Sequence, residues 1–233
     1  MIASRIRQEA GKAIERAVER TIADVAEGES ENEADTTSRL ASRIKDELNG
    51  LDLGDVRIHA SVRTLQDRGP GAAEKRYGAD LLIVLRIDVD GTEVTKGVLV
   101  QSKRTHRDGV RLQGETRVTM TVTTPSKHLR QQCAKMQQLT AESFVWVYGP
   151  TDVRSARATS ITETQHNTTV RSSRLEEFFG DMLDCTIGDT RLQAVDNDTL
   201  ESLIDGLDAA GVLTVEVLDG DTEPTLDAQE LRG

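Results

Sequence analysis

The chain has 233 residues, 40 of them acidic and 29 basic for a net charge of −11, with 36% hydrophobic and 30% charged side chains. That suits one large domain, or one core with appended elements, and is too apolar for a disordered chain. The longest apolar runs, such as Leu81 to Leu85, fall far below the roughly 18 residues that cross a bilayer. The charged N-terminus lacks a secretory block, and two cysteines without a CxxC pair, Cys133 and Cys185, argue against a disulfide scaffold or structural zinc and for a reducing cytoplasm.

In chain order, residues 2 to 27 form an amphipathic helix. Ile2, Ile6, Ala10, Ile14, Ala17, Ile22 and Val25 recur every three or four residues among arginines and glutamates. Such a helix packs on the core or pairs with a second copy. After Gly28 and a polar run, a second helix spans Asp35 to Asn49, with Leu40, Ile44 and Leu48 as its buried stripe. Gly50 closes it.

Three strands follow. Val56 to Val62 alternates apolar and polar, as a half-buried strand does. A Gly/Pro loop at residues 68 to 71 leads to Asp80–Val89, whose apolar run predicts a central strand. The Asp90-Gly91 turn then introduces the strand Lys96–Lys103. Val118, Met120 and Val122 suggest a short extra strand, and Pro125-Ser126 starts a helix bearing Leu129, Cys133, Met136 and Leu139. Ser143 to Tyr148 and Val153 to Ile161 read as strands. The remainder holds helices near 174–183 and 199–210, a short strand 212–218 and an acidic tail 219–233, expected to be loosely ordered. The organisation expected is an N-terminal helix (1–28), a core (29–165), a C-terminal α/β extension (166–218) and the tail.

Charge is unevenly placed. From Lys96 to Lys135 nine basic residues face only Asp108 and Glu115, so this stretch is +7 and the rest is −18. One basic segment in an acidic protein is the footprint of a localised phosphate-binding face; a solvated face of mixed charge is the plain alternative.

The polar residues on the central strands sharpen this. Asp80 opens one strand, while Gln101 and Lys103 lie two apart at the end of the next and so share a face. In a hairpin, a carboxylate, an amide oxygen and an ammonium would converge at one end of the sheet. Of seven lysines, only Lys103 has an Asp, Glu or Gln two positions before it. Read structurally, Asp80 caps a turn while Gln101 and Lys103 decorate an edge strand. A lysine ending a buried strand is costly without a partner, which favours the site.

Gly78-Ala79-Asp80 with its apolar strand, followed by Lys96 to Lys103 ending in Gln101-Ser102-Lys103, resembles the PD-(D/E)XK nuclease superfamily, in its Gln-x-Lys variant. The resemblance covers roughly residues 33 to 149. It implies an α/β, restriction-endonuclease-like αβββαβ core with a mixed central sheet. It also implies Mg²⁺- or Mn²⁺-dependent hydrolysis of DNA phosphodiesters, in defence or repair. Carried over residue by residue, Asp80, Gln101 and the Ser102 backbone carbonyl would ligate the metal, with Glu33 as the helical acid and Glu47 less well placed. Lys103 would position the attacking water or stabilise phosphate charge. Hard oxygen donors suit Mg²⁺ and disfavour zinc. Arg104, Arg107, Lys127 and Arg130 would hold backbone phosphates, and Gln131 or Gln132 would be auxiliary. The sequence departs from the family pattern in having Ala79 for proline and neutral Gln101 for an acid, which places more weight on Glu33. A catalytically weakened module that binds nucleic acid or a partner protein is the alternative. Cleavage of both strands would favour a homodimer or a larger complex, with the first helix as its interface. DNA is the expected partner, with RNA not distinguished from it.

Overall fold

A computed structural model describes residues 4–27, 32–64, 79–112, 119–164, 167–207 and 209–229. The Gly/Pro loop at 68–71, Gly78, Glu115, Arg117 and His166 lie outside them. Helices α1 (Ser4–Ala26) and α2 (Glu33–Asn49) lead into strands β1 (Val56–Thr64), β2 (Leu81–Val89), β3 (Thr92–Arg104), β4 (Val110–Arg111) and β5 (Thr119–Val122). Then come α3 (Lys127–Leu139), β6 (Ser143–Tyr148), β7 (Val153–Arg157), α4 (Ala158–Glu163), β8 (Thr168–Arg171) and β9 (Ser173–Arg174). The chain closes with α5 (Leu175–Leu183), α6 (Asn197–Leu207) and β10 (Gly211–Asp219).

A seven-stranded mixed sheet, in the order β1-β10-β2-β3-β6-β7-β9, is the frame, and β4, β5 and β8 make a small second sheet. The β2–β3 hairpin is set by Asp90 and Gly91, both with positive φ (53° and 71°). Two left-handed residues give the turn whose twist matches the strands, and few residues other than Asn, Asp and Gly accept it. Strand β3 then runs antiparallel to β2 and parallel to β6, with α3 within the crossover.

The expected chain order α2-β1-β2-β3-α3-β6 is present, but β1 and β2 are not neighbours. Strand β10 lies between them, antiparallel to β1 and parallel to β2. Residues 166–218 are therefore not an extension, because their last strand is central to the sheet. The physical reason is that Gly211 to Leu218 is buried throughout, as only an interior strand is.

The two faces of the sheet carry separate cores. One packs Ile83, Val98, Val100 and Trp146 under α1, α2 and α5; the other packs Leu82, Leu99 and Val147 under α3, α4 and α6. The apolar stripe of α1 (Ile6, Ala10, Ile14, Ala17, Val18, Ile22) is buried against α2 and α5. It is thus taken up within the chain. Two further expectations change. Strand β7 stops at Arg157 and gives way to α4, because Ala158 and Ile161, three apart, both turn into the core. Within the acidic tail, Leu226 and Ala228 are fully buried, and the Thr225 and Leu226 N–H groups donate to the Glu216 carboxylate at 3.0 Å each. Among the described residues no helix is long and apolar enough to cross a membrane.

Candidate functional site

Side chains of β3 alternate between the two cores, which sorts the motif. Gln101 and Lys103 share the face of Leu99, beneath α3, while Ser102 turns with Val100 toward α2. The Asp80 backbone N–H donates to Val100 O at 2.8 Å and continues the hairpin one step beyond β2. Its carboxylate accepts the Ser102 N–H at 2.8 Å and the Gln101 side-chain amide. Asp80 and Gln101, 21 positions apart, are thus in direct contact. The Gln101 amide also reaches the Ser102 carbonyl at 3.3 Å. Its own Oε1 is buried and finds no hydrogen-bond partner among the described residues. An orphaned buried acceptor costs about 1–3 kcal/mol, so its persistence is a feature to account for.

Glu33 opens α2, whose start is fixed by Asn32: the Asn32 side chain accepts the Asp35 N–H at 2.9 Å. Its carboxylate meets Lys103 Nζ at 3.4 Å through one oxygen and accepts the Arg104 N–H at 3.0 Å through the other. One turn on, Thr37 Oγ1 lies 2.7 Å from Ser102 Oγ and 3.0 Å from the Tyr148 hydroxyl. This buried hydroxyl cluster pins α2 to β3 and β6, and so holds Glu33 in place. Burial pushes the Tyr148 phenol well up, against the lowering effect of the Thr37 and Ser102 hydroxyls.

A further acid joins the site that the sequence reading did not place there. Asp108 lies 3.5 Å from Lys103 Nζ, so an ammonium only 5% exposed sits between two carboxylates. The available signal was the cost of burying a lysine, which calls for more negative charge than one partner gives, beside an Asp-Gly turn at 108–109. Next to Asp80 a cleft of about 210 Å³ opens between α2, the end of β1 and the start of β10, lined in part by Thr37, Ser38, Thr64 and Gly211.

The basic segment is not one solvent face. Lys96 is buried at the far end of β3, and Lys103 is ion-paired in the site. Arg104 donates to Thr36 Oγ1 at 3.3 Å, and Arg130 donates to the Thr162 and Thr164 carbonyls at 2.8 and 2.5 Å, bracing the end of α4. Arg130 is thus occupied by the fold instead of being offered to phosphate. Arg107 and Lys127 are exposed, and their neighbours Asp108 and Ser126 are bonded to each other. Gln131 is exposed, whereas Gln132 has a buried Oε1 without a partner among the described residues. Phe144 and Trp146 stack edge-on against Phe178 in the core. Glu47 lies away from the site, paired with Arg16 and Arg20.

Among the described residues no three His, Cys, Asp or Glu side chains gather closely enough to hold a metal. A cation beside Asp80 would draw instead on the Ser102 carbonyl and, once the side-chain amide turned over, on the Gln101 oxygen, because it is the Gln101 nitrogen that faces Asp80 and the Ser102 carbonyl here. Those donors are hard and neutral, which fits Mg²⁺ or Mn²⁺ and not zinc. Glu33 could join them only by loosening its hold on Lys103. Comparison of the chain with protein-family models, with curated proteins and with solved structures finds no match.

Proposed function

We propose that the protein is a metal-dependent nuclease of the PD-(D/E)XK kind, hydrolysing phosphodiester bonds in DNA. The observation that carries this reading is the contact of Asp80 with Gln101 on adjacent strands, with a buried amide oxygen left without a partner and Lys103 two residues on. The order α2-β1-β2-β3-α3-β6, with its β2–β3 hairpin and parallel β3–β6 pair, supports it. The interposed β10 departs from the simple αβββαβ core.

A bound Mg²⁺ or Mn²⁺ would activate water and offset charge on the phosphorane-like transition state. Asp80, oriented by a backbone N–H and an amide, presents a fixed carboxylate to that cation. The Ser102 carbonyl, together with Gln101 Oε1 once its amide turned over, would complete the protein's share of oxygen donors. Lys103 presents an ammonium from a largely water-excluded position, where it stabilises developing negative charge more than it would in bulk water. Arg107 and Lys127 remain exposed to hold flanking phosphates.

The test is Mn²⁺- and Mg²⁺-dependent cleavage of supercoiled and linear DNA by wild type, Asp80→Ala and Lys103→Ala, each checked for folding by circular dichroism. Loss of about two or more orders of magnitude in both variants is expected; cleavage unchanged in either discards the site. A second reading, a module of the same fold that binds nucleic acid or a partner without cleaving, is favoured by one specific observation: Glu33 is held by Lys103 and Arg104 while Gln101 is neutral. Calorimetric titration with Mn²⁺ separates the two, since the enzyme requires a heat signal that Asp80→Ala abolishes and the module requires none.

A further inference from the structure

We infer that Asp108 is the positioning residue for Lys103, holding the ammonium in place when Glu33 is drawn toward a cation. The inference rests on the nuclease reading above and adds to it a residue outside the Asp/Gln-x-Lys pattern.

The geometry begins with an uncommon turn. Within five residues past β3, His106, Asp108 and Gly109 all take positive φ (67°, 51° and 78°). Non-glycine residues there are uncommon, though Asp and His are among those that tolerate it, and such conformations persist only where the surroundings over-determine them. Here they do. The His106 N–H donates to Val110 O at 2.8 Å, the Ser126 N–H to Asp108 O at 3.0 Å, and the Thr123 N–H to Gly109 O at 2.8 Å. A side chain on Gly109 would strike the Thr124 carbonyl, with 2.0 Å from its Cβ to the oxygen.

What this turn delivers is one carboxylate. Asp108 Oδ1 accepts the Ser126 hydroxyl at 2.5 Å, and Ser126 also caps α3 by accepting the Leu129 N–H at 3.0 Å. The other oxygen faces Lys103 at 3.5 Å. Asp108 is therefore clamped from behind by the head of α3 and aimed at the lysine. Glu33 is the opposite case: it already serves the Arg104 N–H as well as Lys103, and the proposed chemistry asks it to face a metal too. A buried ammonium deprived of its sole counter-ion would swing away toward water. With two counter-ions it keeps one, and Asp108, braced by the Ser126 hydroxyl, is the one that stays.

Asp108→Asn is the apt variant. It keeps the shape, an oxygen for the Ser126 hydroxyl and a residue type at ease with positive φ, and puts an uncharged amide nitrogen where a carboxylate oxygen faced Lys103. Expected are a kcat lowered about 10- to 100-fold, as for residues that orient a reacting group through a hydrogen bond, an unchanged KM for DNA and unchanged Mn²⁺ heats. A wild-type kcat in Asp108→Asn overturns the inference, and so does a loss confined to KM. A second measurement does not depend on activity: reductive methylation read by mass spectrometry, in the full chain. Lys103 is expected to be protected in wild type and to label several-fold faster in Asp108→Asn, with Lys96 unchanged. Equal Lys103 labelling in the two proteins sinks the assignment even where cleavage is absent. Absence of cleavage in wild type, by contrast, sinks the nuclease reading and leaves the labelling result to decide the pairing.

Discussion

Glu216 is the most demanding residue in the fold, and replacing it tests why the C-terminal segment belongs to the core. Its side chain is fully buried on β10 and accepts from Arg86 Nη1 at 3.1 Å, the Thr225 N–H at 3.0 Å, the Thr225 hydroxyl at 3.2 Å and the Leu226 N–H at 3.0 Å. In Glu216→Ala the backbone N–H of buried Leu226 loses its acceptor, at about 1–3 kcal/mol if it stays buried, while that of exposed Thr225 can turn to water. The segment can escape that cost by peeling away, but it then exposes Leu226, whose burial is worth about 1.5–3 kcal/mol. Arg86 loses one anion yet keeps Asp88 at 2.7 Å and Glu93 at 3.5 Å, so the cation is not abandoned. The two routes converge on a loss of about 1.5–3 kcal/mol. Glu216→Gln keeps the shape but offers one oxygen where there were two, and should cost about 1–3 kcal/mol. Urea unfolding at equilibrium reads both values, and limited proteolysis should release a C-terminal peptide from the alanine variant first. If both variants unfold within about 0.5 kcal/mol of wild type, the level of an ordinary surface change, the clamp is not holding the tail.

Thiol chemistry and acid titration probe two other parts of the structure. Cys133 is fully buried on α3, where burial pushes its thiol up to about 12 against a weak lowering from Lys103, while Cys185 is exposed. One equivalent of thiol is expected to react quickly with Ellman's reagent in the native protein and the second only on unfolding; two fast equivalents would mean α3 is not packed as described. Asp189 is held down to about 2, from 3.8, chiefly by the Arg191 side chain and further by the Thr140 hydroxyl, against the opposing effect of burial. Because the folded value lies below the unfolded one, its stabilisation is complete above about pH 4 and is lost as pH falls toward 2. Urea midpoints measured over that window should fall less steeply for Asp189→Asn, and parallel curves would refute the linkage.

Much of this was legible because burial and hydrogen bonding act locally. The stripes of α1 and α2, the Asp90-Gly91 hairpin and the buried β2 strand each follow from a short stretch of sequence. The Asp80–Gln101 contact follows from the hairpin, since alternation puts Gln101 on a definite face. What was not legible depends on long-range pairing. Nothing in Gly211–Asp219 names β1 and β2 as its neighbours; its two-sided apolarity says interior, and the choice of slot is made by the whole sheet. Asp108 escaped notice for a related reason. Its partner lies five positions earlier, but the left-handed turn that brings them together is stabilised by bonds from residues 123 and 126, beyond two intervening strands. The Gly/Pro loop, Glu115 and Arg117 lie outside the described residues.

The basic segment shows how a charge count and a charge map can diverge. Its +7 looked like a surface for phosphate, yet Lys96 and Lys103 are buried, and Arg130 is bound to helix carbonyls. A cation placed inside a protein is costly without an anion or an acceptor; for Lys103 the answer is Glu33 with Asp108, whereas Lys96 Nζ is buried with no hydrogen-bond partner among the described residues. The pair leaves this spot one negative charge in excess before Asp80 is counted. An acidic site in a protein of net charge −11 repels a polyanion unless something positive stands between them. On the nuclease reading a divalent cation fills that role, so the same ion that would activate water would also make the approach of DNA electrostatically tolerable. Exposed Arg107 and Lys127, too few to attract a duplex by themselves, would then act by orienting phosphates once the ion is in place.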